Sequence, residues 1–142
     1  VPIRLAVNEK MKNYALTASD IRENRHLNSR IPPVPLENFQ NESFLLLKSG
    51  NDTRSRADRI CHNAHVLPKI KLELDQQITA YNLSRYGMGI SFCSDTLVRH
   101  VPDDEGLVYY KLDHKDAFRE VNFYYKRGRY MPRVVSTFLE MI

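Results

Sequence analysis

From Ser43 to Leu74 the chain reads SFLLLKSGNDTRSRADRICHNAHVLPKIKLEL. Phe44, Leu45, Leu46 and Leu47 form an apolar run of the length of a buried strand. Ser49-Gly50-Asn51-Asp52 then supplies turn chemistry and a helix cap. Within Thr53 to Asn63, Ala57, Ile60 and Cys61 recur at i, i+3 and i+4, a narrow apolar stripe on one helix face. His62-Asn63-Ala64-His65 offers a stop. Val66 to Leu74 reads as a second strand, with Ile70, Leu72 and Leu74 alternating against Lys69, Lys71 and Glu73, so one face is polar. Strand, helix and strand in that order make a βαβ unit, which points to a parallel sheet.

The pattern continues towards the carboxyl end. Gln76 to Tyr86 is a helix with Ile78, Ala80, Tyr81 and Leu83 to pack, and Gly87 ends it. Met88 to Cys93 reads as a short buried strand. Ser94-Asp95 caps a helix through Val101, which Pro102 stops. Leu107 to Leu112 and Val121 to Lys126 read as two further strands, and Arg133 to Ile142 as a last helix with Val134, Val135, Phe138 and Met141 on one face. Towards the amino end, Pro35 to Phe39 is one helical turn with proline at its start. Residues 22–33 are charged, end in Ile31-Pro32-Pro33 and read as a loop. Leu16 to Ile21 is a short helical signal with Thr17 as cap, Asn8 to Asn13 a polar turn, and Ile3 to Val7 a strand. No internal repeat and no low-complexity stretch interrupts the order. The fold class is α/β, a mixed and mostly parallel sheet flanked by helices.

The bulk numbers fit that picture. Of 142 residues 42% are hydrophobic and 27% charged, a globular balance that excludes a disordered tail. No apolar run approaches the roughly 18 residues of a membrane span. The net charge is +4, but Lys and Arg alternate with Asp and Glu along most of the chain. The densest basic stretch, Lys126-Arg127-Gly128-Arg129, reads as a turn between a strand and a helix rather than a nucleic-acid stripe. Cys61 and Cys93 are 32 residues apart with no CxxC, and read as free thiols of a reducing, cytoplasmic compartment.

No catalytic constellation stands out. His26, His62, His65, His100 and His114 are scattered. Cys61, His62 and His65 fall short of the four ligands that zinc wants, so no metal and no cofactor are expected. Ser91 and Ser94 lack a Gly-x-Ser-x-Gly elbow. Cys93 and His100 form a catalytic pair only if they meet in space. The acidic triplet Asp103-Asp104-Glu105 reads as a solvated loop, and there is no phosphate loop.

In the order and spacing of its pieces the chain resembles the effector-binding region of LysR-type transcriptional regulators. The pieces are Pro-Leu-x-x-Phe before a strand (Pro35 to Lys48), a polar turn opening a helix with an early arginine (Asn51 to Arg59), and a Pro-x-Ile-x-Leu-Glu strand (Pro68 to Glu73). A helix closed by Gly-x-Gly-Ile (Gly87 to Ile90) and a strand ending at Ser94, where the family often has proline, complete them. Residues 22–33 depart from the pattern as an insertion.

The resemblance implies one lobe of a fold like the type II periplasmic binding proteins. Residues 1–105 would be its second lobe and residues 106–142 the returning part of the first. The start of the first lobe and the winged helix-turn-helix that binds DNA would belong to a longer, homo-oligomeric cytoplasmic protein in which Val1 is internal. The implied function is sensing of a small-molecule effector between lobes, without enzymatic activity or membrane contact. An extracytoplasmic solute-binding receptor of similar fold is the alternative.

In such folds ligands lie at the carboxyl ends of strands. The turn before the first long helix is the first expected contact: Ser49, Gly50, Asn51 and Thr53 present backbone N–H groups and neutral donors, with a mild bias towards an anionic or polar ligand. Asp52 opposes an anion unless it turns inward as the cap. The resemblance puts the second contact at Tyr86, Gly87 and Gly89, where glycines also serve as helix stop and close-packing residues. Val121, Phe123 and Tyr125 would leave an apolar edge that recruits another chain.

Overall fold

The computed structural model describes residues 9–102, 106–119 and 132–141. The strands expected at Ile3 to Val7 and Val121 to Lys126, and the edge of Val121, Phe123 and Tyr125, lie outside these residues. Strand β1 spans Ser43–Leu47 and β2 spans Lys69–Leu74, paired in parallel with a register shift between Phe44 and Leu45. Helix α2, Asp52–Asn63, crosses between them, so the decisive stretch does form a βαβ unit. α1 is Ala18–Arg22, α3 Gln77–Arg85, α4 Asp95–His100 and α5 Arg133–Glu140. Short 3-10 turns lie at Glu9–Tyr14, Arg25–Leu27, Leu36–Phe39 and Lys115–Ala117. The stretch expected as a polar turn, Asn8 to Asn13, is thus largely the first of these.

β1 is sealed because the chain at Ile90 bridges its far side. Leu45 N–H donates to Ile90 O at 2.8 Å and Ile90 N–H to Ser43 O at 2.9 Å. Phe44 and Leu45 are each 1% exposed, and burying such side chains stabilises by about 1.5–3 kcal/mol apiece. Arg54 ties the unit together: its guanidinium donates to Leu47 O, Glu73 and Asp58 at 2.7, 2.6 and 2.9 Å. Among the described residues β2 is the outer strand, and Ile70 and Leu72 on its second face are exposed as well as Lys69, Lys71 and Glu73.

Two expected strands are not strands. Met88 to Cys93 reduces to one parallel bridge, Ile90 to Phe44. Leu107 to Leu112 reduces to one antiparallel bridge, Tyr109 to Leu16. For the second segment the reason is the partner. Leu16 and Val34, whose N–H groups meet Tyr109 O and Lys111 O, lie outside the strands, so no ladder can propagate. The helix cap of α2 is Asn51, whose Oδ1 accepts from Thr53 N–H at 2.9 Å. Asp52 is therefore the first helical residue, exposed and paired with Arg56 at 2.8 Å rather than turned inward.

The apolar residues form two clusters. One gathers Val34, Leu36, Phe39, Phe44, Leu46, Ala57, Ile60, Cys61 and Val66 around β1 and α2. The other gathers Leu16, Ala18, Ile21, Tyr81, Val98 and Tyr109, joining α1, α3 and α4. Residues 106–119 belong to this same packed body. Tyr109 sits in the second cluster, Tyr110 and Leu112 lie against the first, and Asp116 takes a two-pronged contact from Arg59 at 3.0 Å.

Candidate functional site

α3 carries Gln77, Tyr81 and Ser84 at i, i+4 and i+7, which puts all three on one helix face. Each meets a group from the chain that follows. Ser94 Oγ donates to Gln77 Oε1 at 3.0 Å, the Tyr81 and Tyr109 hydroxyls lie 3.0 Å apart, and so do those of Ser84 and Ser91. All six residues line a cleft of about 1490 Å³ that runs between the two apolar clusters. The Ser84–Ser91 pair uses one of its two hydrogens internally, which leaves a donor and lone pairs for a third group. Ile90, Phe92, Leu107 and Val108 add apolar wall. Such a surface suits a small molecule with a few polar atoms on an apolar body.

Three of the expected contacts reach this cleft: Thr53, Gly87 and Gly89. Ser49, Gly50, Asn51 and Tyr86 are not among its lining residues. Gly50 adopts φ +92° and is exposed, so its glycine answers a turn requirement. Asn51 holds the helix cap. Tyr86 is 77% exposed at the end of α3. Gly87 adopts φ +73°, and its N–H reaches Ser84 O while Met88 N–H reaches Leu83 O, the paired bonds of a Schellman stop. A Cβ on Gly89 would meet Ser43 O at 2.6 Å, so this glycine lets the chain close on β1.

Arg56, Asp95 and Asp116, charged residues of the cleft, each have partners. Arg56 Nε donates to Asp52, and its Nη1 to the carbonyls of Asp116 and Phe118 at 3.3 and 3.0 Å. Burial works against the charge of Asp95, but the Thr96 N–H, His26 and Arg99 hold its carboxyl below the usual range. The Arg59 guanidinium does the same, more directly, for Asp116. Sequence reading did not single out the α3 stripe. Its signal was the i, i+4, i+7 spacing of polar residues beside the two glycines, but their partners are set by the tertiary fold.

The surroundings of both thiols disfavour the thiolate. Burial, with a smaller effect of Asp95, pushes Cys93 up to about 11. Burial, then Asp58, pushes Cys61 up to about 11. A thiol so raised is protonated at neutral pH and is a poor nucleophile. His100 Nδ1 donates to Thr96 O at 2.7 Å. Among the described residues no group of three or more His, Cys, Asp and Glu side chains is placed to hold a metal ion, and no helix is long and apolar enough to cross a membrane.

Residues 23–142 match the family model of the LysR substrate binding domain. The chain is 24% identical over 146 aligned positions to the uncharacterized HTH-type transcriptional regulator YcgK of Bacillus subtilis (strain 168), covering 99% of this chain and 43% of that protein. It is 25% identical over 109 positions to the uncharacterized HTH-type transcriptional regulator YybE of the same organism, covering 77% of this chain and 36% of that one. The chain thus spans less than half the length of either relative. No solved structure matches it significantly. Since the matched region takes in all but the first 22 residues, the chain belongs to the LysR substrate binding domain family.

Proposed function

We propose that this chain is the effector-sensing part of a cytoplasmic, homo-oligomeric LysR-type transcriptional regulator that binds DNA through a domain outside this sequence. The observation that supports the reading is the cleft beside α3, with its hydroxyl and amide groups set in apolar wall. The effector is a small, polar molecule with an apolar body. Its contacts come from Thr53, Gln77, Ser84, Gly87, Gly89 and Ser91. Ser49, Gly50, Asn51 and Tyr86 frame the turns that present them. The chain is one lobe of a fold like the type II periplasmic binding proteins, with residues 106–142 as the returning part of the first lobe; residues 106–119 pack against the rest of the described chain.

Effector binding switches the regulator only if the effector prefers one arrangement of the lobes. Equal affinity for both arrangements shifts nothing, however tight. The test is thermal unfolding of the intact regulator against a library of small polar metabolites, followed by the same measurement on a Ser84→Ala, Ser91→Ala double variant. A compound that stabilises the native protein should lose about tenfold or more in affinity in the variant, as expected when two hydrogen-bonding groups are removed. Unchanged affinity would place the effector elsewhere.

A further inference from the structure

Residues 22–33, read from the sequence as a loop, supply part of the cleft wall through His26, Leu27, Ser29 and Ile31. No residue of the 3-10 turn Arg25–Leu27 is buried, and Leu27 is 64% exposed. The backbone hydrogen bonds within 24–31 are local, from Leu27 to Asn24, Asn28 to Arg25 and Ile31 to Asn28. Side chains fasten the segment to the rest. Arg22 donates to Val101 O at 2.8 Å, and Arg99 donates to Arg22 O at 3.1 Å and to Asn24 Oδ1. Lys111 Nζ donates to Asn28 O at 2.9 Å. Midway between these ends, His26 Nε2 donates to Asp95 Oδ2 at 3.3 Å. Ile31 follows, packed against the second cluster, as Cys93 is, and both line the cleft.

We propose that residues 22–33 are a strap across the cleft, latched by His26 on Asp95, and that release of this latch opens the wall beside Cys93. A segment fastened by side-chain contacts, with little apolar burial of its own, belongs to the low-stability end of a structure and opens before the rest. The closed latch is also incompletely satisfied. His26 Nδ1 is the one described side-chain nitrogen or oxygen that is buried with no hydrogen-bond partner, and opening returns it to water. The strap's purpose rests on the effector reading of the cleft. Its motion does not, so a failed latch and a failed effector site are distinguishable.

Cys93 lines the cleft and Cys61 lies in the other cluster, which makes the two thiols a reporter and its control. The intact native protein is treated with iodoacetamide, and the rates are read by mass spectrometry on the separate tryptic peptides 60–69 and 86–99. His26→Ala should raise the Cys93 rate about tenfold, the ratio expected for losing one hydrogen bond to a charged group, with Cys61 unchanged. His26→Gln, which keeps a donor for Asp95, should stay near the native rate. An unchanged Cys93 rate in His26→Ala overturns the proposal. So does a parallel rise of both thiols, which would mean general loosening of the lobe, or a glutamine variant that behaves as the alanine one.

Discussion

Gly50 and Gly89 flank the same strand and differ in why they are glycine. Gly50 sits at φ +92° with nothing within 4 Å of where a Cβ would lie. Gly89 has no left-handed backbone, yet a Cβ there would meet Ser43 O at 2.6 Å. The first answers to backbone torsion, the second to a neighbouring chain. One turn is governed by local conformation, and the other by tertiary contact. The second turn meets the cleft through its own glycine, which brings Ile90 against β1 and so sets the start of the Ser91–Ser94 wall, whereas the first meets it only through Thr53.

The comparison is broken most severely at Gly89. Alanine there must displace a backbone carbonyl of a sealed strand, and overpacking of this kind costs about 2–3 kcal/mol. Urea unfolding of Gly89→Ala should show that loss. A loss below about 1 kcal/mol would mean that the chain after α3 can move away from β1 without penalty. Gly50→Ala should cost less, about 1–2 kcal/mol for a left-handed non-glycine residue, because the space is open and only the torsion resists. If Gly50→Ala proves the more harmful, the assignment of torsion to one turn and contact to the other is reversed.

The same contrast explains what could be read from the sequence. β1, α2 and β2 were legible because an apolar run, a polar cap and an alternating run are local patterns. The asparagine cap and the glycine stop of α3 are local too. The segments at Met88 to Cys93 and Leu107 to Leu112 are not. Their composition suits a strand, but whether a strand forms depends on what lies beside it, and beside Tyr109 lies the short connector at Leu16. The candidate site divides likewise. Both glycine turns were visible, whereas the cleft depends on Ser91, Ser94 and Tyr109 returning to one face of α3. The contact between His26 and Asp95 spans 69 positions, so no local pattern announces it.

Two helix ends sharpen the torsional half of the comparison. α3 stops at Gly87 with N–H bonds to Ser84 O at 2.9 Å and, from Met88, to Leu83 O at 3.1 Å. α2 stops in the same way at His65, φ +53°, with bonds to His62 O at 3.1 Å and, from Val66, to Cys61 O at 2.9 Å. One motif holds glycine and the other an exposed histidine, which bears the strain of the left-handed region. His65→Gly should therefore stabilise the protein by about 1 kcal/mol, since relief of strain outweighs the added freedom of the unfolded chain. No gain in thermal midpoint would show that the imidazole compensates its own backbone.

The smallest effect tests the polar half of the first turn. Asn51→Ala removes the one side-chain acceptor at the start of α2 and should cost about 1 kcal/mol, while Asn51→Asp should keep the cap. Asp would add a negative charge beside Asp52, but it would also lie at the positive end of the helix dipole, which favours it by about 0.3–1 kcal/mol. Stability of the aspartate variant should thus match or exceed the native protein above the ordinary carboxylate range. It should fall below that range as the carboxyl takes up a proton, because a folded-state pKa depressed by the dipole and the Thr53 N–H contributes stability only while the group is ionised. If effector affinity follows cap strength through this pair of variants, the turn at Ser49 to Thr53 acts by positioning Thr53 at the cleft. If effector affinity falls in the aspartate variant alone, while its stability holds, the turn faces an anion directly, and the division between a structural turn and a ligand-facing turn fails.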